Sequence, residues 1–111
     1  MDFAEYEREA SRTRPHYQSE DEHLLIAVMG IVGEGAELLE HLKKYRAQGH
    51  PLDKNRMRLE SGDILWYLAD LVDVLEITLG ELADMNIIKL RARYPEGFSA
   101  ERSMMREDEV I

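Results

Sequence analysis

Four carboxylates in this sequence have a spacing suited to chemistry at a phosphate. Glu34 and Glu37 stand three residues apart, and Glu60 and Asp63 repeat that spacing. Residues three apart on a helix share one face, so each pair can aim two carboxylates at one spot. The segment between the pairs, residues 46–53, is short and contains Gly49-His50-Pro51. Two helices joined by it should therefore run antiparallel. Glu34 lies ~16 residues before the turn and Glu60 and Asp63 ~10 to 13 after it, so at ~1.5 Å per residue the pairs fall at similar heights. Four carboxylates held together repel and raise one another's pKa unless a cation neutralises them. The chain has no cysteine, so any metal must be held by oxygen or imidazole. That donor set suits a hard cation such as Mg²⁺, Mn²⁺ or Ca²⁺.

Charge pattern alone reads such pairs as a solvated helix face, because 23 residues of the chain are acidic. Two features point toward a site. Glu60 and Asp63 open into the most apolar stretch of the chain, where unpaired carboxylates are costly. Glu34 is flanked by Gly30, Gly33 and Gly35, and each glycine inside a helix costs ~1 kcal/mol relative to alanine. Close approach of a ligand or tight packing against a second helix would each account for them. The four histidines fall outside the spacing of the acidic cluster and read as solvated or structural.

The elements that must position these groups are helical. Ser19 followed by Glu22 forms a capping-box signature, and a long helix is predicted over 20–47. Asp53 is a candidate N-cap for a helix over 54–79, which Gly80 should end. A last helix is predicted over 81–93, stopped at Tyr94-Pro95-Glu96-Gly97. No segment alternates as a strand does. The expected fold is all-α, a helical bundle of three to four helices per chain completed by oligomerisation. It comprises an N-terminal helical segment (1–18), a main domain (19–98) and a C-terminal tail (99–111) that a partner subunit would order. From Ile64 to Leu79 the third helix is apolar on almost every side, which predicts burial all round and places it in a subunit interface.

On the last helix, Asn86, Lys89 and Arg93 share one face and would suit phosphate recognition, or form a solvated outer face. Net charge is −9, which argues against nonspecific nucleic-acid binding. The first residues lack the features of a signal peptide. The longest apolar run, 64–69, is too short to span a bilayer, so no membrane partner is expected and the cytoplasm is the expected location.

Glu34-Gly35-Ala36-Glu37 followed by Glu60-Ser61-Gly62-Asp63 resembles the ExxE…ExxD signature of the MazG-like branch of the all-α nucleoside triphosphate pyrophosphohydrolases. The run from Asn86 through Lys89-Leu90 to Arg93-Tyr94-Pro95 is similar to that family's N-x-x-K-L-x-x-R-Y-P segment. The resemblance implies a bundle that forms homodimers or homotetramers. It implies that Glu34, Glu37, Glu60 and Asp63 bind one or more Mg²⁺, with Glu37, or else Glu34, as the catalytic carboxylate that orients or deprotonates water. It further implies that Asn86, Lys89 and Arg93 contact a nucleoside triphosphate, expected to be a deoxynucleotide, cleaved to monophosphate and pyrophosphate. Trp66 would line the base pocket or pack in the core. The related dUTPase and phosphoribosyl-ATP pyrophosphatase branches carry similar motifs, so those substrates stay open, as does a non-enzymatic acidic interaction module.

Overall fold

A computed structural model describes residues 1–105. Its helices are α1 (Phe3–Ser11), α2 (Glu20–Ala47), α3 (Lys54–Val74), α4 (Leu79–Arg93) and α5 (Ala100–Met104), with no strand among the described residues. No described helix is long and apolar enough to cross a membrane. The all-α class is thus as the sequence predicts. The chain forms two compact units, Met1–Leu79 and Gly80–Ile111.

Capping explains where the helices of the first unit begin. The side chains of Asp2, Ser19 and Asp53 accept hydrogen bonds from the backbone N–H groups of Glu5 (2.8 Å), Glu22 (3.1 Å) and Arg56 (3.0 Å). Each satisfies a donor that the first helical turn leaves open. The Glu22 carboxylate reaches back to the N–H of Gln18 (3.0 Å), one residue outside the usual capping-box partner. α2 and α3 form the central hairpin, and α1 packs on α3.

The end of α3 departs from expectation. The helix stops at Val74, not at Gly80, and α4 starts at Leu79 and includes that glycine. Glu76 adopts a left-handed φ of 62°. Its N–H donates to Asp73 O (3.1 Å), and the N–H of Ile77 donates to Val72 O (3.0 Å). This is a Schellman motif, with glutamate where glycine usually sits. A helix-period apolar pattern does not reveal a cap formed by a non-glycine residue, so the sequence reading ran through it.

α3 is buried by its neighbours over part of its length: Ala69, Asp70 and Val72 are buried, Ile64 to Leu68 half-buried, and Leu75 exposed. Asp70, with no solvent exposure, is the centre of a polar knot. It accepts from Tyr17 Oη (2.6 Å), contacts His23 Nε2 (2.6 Å) and pairs with Arg14 Nε (2.9 Å); Arg14 also reaches Asp73 (3.3 Å). The Tyr17 and His23 rings stack at 4.1 Å. The knot fastens the α1–α2 connection onto α3. His41 is also structural, its Nε2 accepting from the N–H of Asp53 (3.2 Å) at the hairpin turn.

In the second unit, α4 ends in a turn in which the Gly97 N–H donates to Tyr94 O (3.1 Å), with Gly97 at φ 91°. α5, capped by Ser99 (3.3 Å to the N–H of Arg102), occupies the start of the predicted tail. Residues 106–111 of that tail lie outside the described residues.

Because left-handed backbone costs a residue with a Cβ about 1–2 kcal/mol, Glu76→Gly is expected to stabilise the fold by about 1 kcal/mol, raising Tm by several degrees. Thermal unfolding followed by circular dichroism checks this; a lower Tm would show that the Glu76 side chain contributes more than its backbone strain costs.

Candidate active site

The hairpin brings the four predicted carboxylates into electrostatic reach of one another. The Glu34 carboxyl is held above the usual carboxylate range. Loss of hydration is the largest cause, followed by the negative charges of Glu37 and Asp63, hydrogen bonding with Glu37, and the charge of Glu60. Glu34 and Asp63, with Trp66 and Tyr67, line a cavity of about 350 Å³. Glu37 lines a second one of about 300 Å³ with Glu40, His41, Lys44 and Arg56. Glu60 is buried, and its Oε1 accepts from Arg56 Nε (3.1 Å).

Among the described residues, no three histidine or carboxylate side chains converge closely enough to hold one ion. The physical reason is visible at Glu60, which is turned toward Arg56, and at Glu37 and Asp63, which are exposed. Two buried carboxylate oxygens nonetheless have no hydrogen-bond partner, Oε2 of Glu34 and Oε2 of Glu60. Buried acceptors are nearly always satisfied, and an all-oxygen set of carboxylates is what a hard divalent cation takes. The residues present fit such an ion.

The aromatic wall is built from both helices. A Cβ added at Gly30 would collide with the Tyr67 ring, so this glycine seats the ring one turn from Glu34. The same addition at Gly33 or Gly35 would meet nothing. Of the two explanations offered by the sequence, close packing accounts for Gly30 and leaves the other two open. Trp66 is half-buried; its Nε1 donates to Thr13 Oγ1 (2.8 Å), and its ring meets Tyr67 edge-on at 4.9 Å. It thus does two things at once, lining the cavity and packing. On α1, the Tyr6 phenol is held above its usual range, first by burial and then by the charge of Asp63.

Asn86, Lys89 and Arg93 lie on α4 in the second unit. Asn86 is exposed, Lys89 half-buried and Arg93 buried, so the stripe is not a fully solvated face. Asp70, seven residues after Asp63, belongs to the knot described above, which engages both its oxygens. Sequence reasoning missed Lys44 and Arg56. Lys44 is seven residues after Glu37 and Arg56 four before Glu60, and both spacings return to the same helix face.

A model of the MazG nucleotide pyrophosphohydrolase domain matches residues 22–98. The chain belongs to this family. It is also 34% identical over 80 residues to the Gene 37 protein of Mycobacterium phage L5, an alignment covering 68% of this chain and 70% of that protein. That name carries no statement of activity. No solved structure matches the chain. Membership supports nucleotide pyrophosphohydrolase chemistry in general, and the MazG family is divalent-cation dependent, generally on Mg²⁺. The residues matched include all four carboxylates and the α4 stripe.

The raised Glu34 pKa sets a sign. A carboxyl whose folded pKa lies above its unfolded value contributes most below the unfolded value, and that contribution is lost as pH rises through the folded one. Glu34→Gln removes the charge and keeps the shape. In EDTA at neutral pH this variant is expected to melt above the wild type, the gap narrowing toward about pH 4, where the unfolded carboxyl also protonates. An equal or lower neutral-pH Tm would remove the claim that Glu34 is held at an electrostatic cost.

Proposed function

We propose that the chain hydrolyses nucleoside triphosphates, deoxynucleotides among them, at the α-phosphorus, in an Mg²⁺-dependent reaction yielding the monophosphate and pyrophosphate. The observation that carries this reading is the pair of buried, unpartnered carboxylate oxygens on Glu34 and Glu60 at the centre of the acidic hairpin. Glu34, Glu37, Glu60 and Asp63 would hold the cation. When bound, Mg²⁺ would supply Lewis acidity toward the phosphate oxygens and offset the charge of the four carboxylates.

The chain's own groups divide the remaining work. Glu37 is exposed beside the second cavity. Its carboxylate can therefore orient water and accept its proton, with Glu34 as the alternative catalytic carboxylate. Trp66 and Tyr67 offer ring faces and edges on which a nucleobase or sugar can rest. Lys44 and Arg56, flanking the other side, suit the charge of the phosphate chain and leaving pyrophosphate. Asn86, Lys89 and Arg93 are further proposed nucleotide contacts, on the strength of their match to the family segment. A homo-oligomer located in the cytoplasm, with no nucleic-acid or membrane partner, belongs to the same reading.

The test is pyrophosphate release across ribo- and deoxynucleoside triphosphates, dUTP and phosphoribosyl-ATP, with Mg²⁺ and with EDTA, in ¹⁸O-labelled water. Release that EDTA abolishes, with the label in the monophosphate, is expected. Glu37→Gln and Asp63→Asn should each lower kcat by about a hundredfold or more with helical content retained. Lys44→Ala should raise KM about tenfold. Label in the pyrophosphate, or full activity in either carboxylate variant, would contradict the assignment.

A further inference from the structure

Arg56 sits where a helix does not favour an arginine. Among the described helices, α3 is the one whose first turn holds no acid, and it carries Lys54 and Arg56 there instead. A cation at that end meets the positive end of the helix dipole, offset by the Asp53 cap alone. Its partner Glu60 follows four residues later, and at that spacing the favourable order sets the acid first. The pair is also unequal. The Arg56 side chain is 61% exposed and that of Glu60 11%, so the guanidinium can move into water freely and the carboxylate cannot follow it.

Glu60 therefore needs a counter-charge beside it, and Arg56 supplies one to a single oxygen. Arg56 Nε donates to Oε1 (3.1 Å), and Oε2 is buried with no partner. The charge of Glu60 is felt at Glu34, so this carboxylate belongs electrostatically to the acidic hairpin. A divalent cation held by Glu34, Glu37, Glu60 and Asp63 would be a stronger counter-charge than a guanidinium, and two positive groups on one carboxylate repel each other. Arg56 has a second place to go. It lines the cavity of about 300 Å³ that also contains Glu37 and Lys44, which the proposed reaction gives to the phosphate chain. The guanidinium fork fits phosphate oxygens as it fits carboxylate ones.

We infer that Arg56 is an exchangeable counter-ion: it holds Glu60 in the cation-free protein, gives that carboxylate up to the cation, and carries its freed guanidinium to the phosphate chain. Arg56 is then a positioning residue for Glu60 and a phosphate contact in turn. The inference rests on the hydrolase reading and adds to it a coupling. Arg56 opposes the cation on its own, and phosphate, by drawing Arg56 away, favours it; linkage makes that effect reciprocal.

Two binding measurements on the full chain test this without turnover. Mg²⁺ affinity is read in the absence of nucleotide by titration calorimetry on the wild type, Arg56→Gln and Lys44→Gln. Arg56→Gln is expected to bind Mg²⁺ about tenfold more tightly than the wild type. Lys44→Gln removes a charge from the same cavity but leaves the Arg56–Glu60 pair intact, and is expected to gain about twofold or less. Equal gains in the two variants, or none in Arg56→Gln, overturn the exchange and leave the cation site standing. Absence of Mg²⁺ binding in all three overturns the cation site and the exchange together. Inorganic pyrophosphate is then titrated in EDTA and followed by ³¹P NMR. Glu60→Gln keeps the shape and releases Arg56, so it is expected to bind pyrophosphate about tenfold more tightly than the wild type. Adding Arg56→Gln is expected to remove that gain. No gain, or a gain that survives in the double variant, contradicts the release of Arg56 to phosphate.

Discussion

Carboxylates placed between two packed helices set the terms for the rest of this structure. Taking a carboxylate out of water costs several kcal/mol unless a partner replaces the lost hydration. The hairpin contains two kinds of inward carboxylate on the same helices. Asp70 is fully buried, and each oxygen has a partner: His23 and Arg14 on one, Tyr17 on the other. Glu34 and Glu60 keep one buried oxygen each without any. The first arrangement locks the α1–α2 connection in place. The second leaves acceptor capacity unused, and burial together with the neighbouring negative charges raises Glu34's proton affinity.

This difference also shows what a sequence can carry. That Glu34, Glu37, Glu60 and Asp63 come within electrostatic reach of one another was legible because helical periodicity and a short turn determine which side chains share a height. The same reasoning could not separate Asp63 from Asp70, since both lie on α3 at helical spacing. Their fates differ because of Tyr17 and His23, roughly fifty residues away in the chain. Long-range partners of that kind have no periodic signature. The α2 boundaries were readable from Ser19 and from Gly49-His50-Pro51; the end of α3 was not, because Glu76 adopts a conformation that composition assigns to glycine. Lys44 and Arg56 were visible as spacings but lost among many other charges.

Of the glycines near Glu34, packing accounts for one. Gly30 exists for an aromatic ring from α3, which sets Tyr67 beside the acidic cavity. A Cβ at Gly35 would meet nothing among the described residues. A chain of 111 residues buries a limited core by itself, and α2 keeps Leu25, Val28, Val32, Leu39 and Leu42 exposed.

The central claim is that Glu34, Glu37, Glu60 and Asp63 act together as one cation site. Thermal unfolding of the wild type and of Asp63→Asn, each with Mg²⁺ and with EDTA, tests it most directly. A ligand bound only by the native state stabilises it by mass action, about 3 kcal/mol at a hundredfold excess over Kd. The account predicts a Tm that rises with Mg²⁺ in the wild type and stays level in the variant. An unchanged wild-type Tm across the titration, or an equal rise in both proteins, would contradict it.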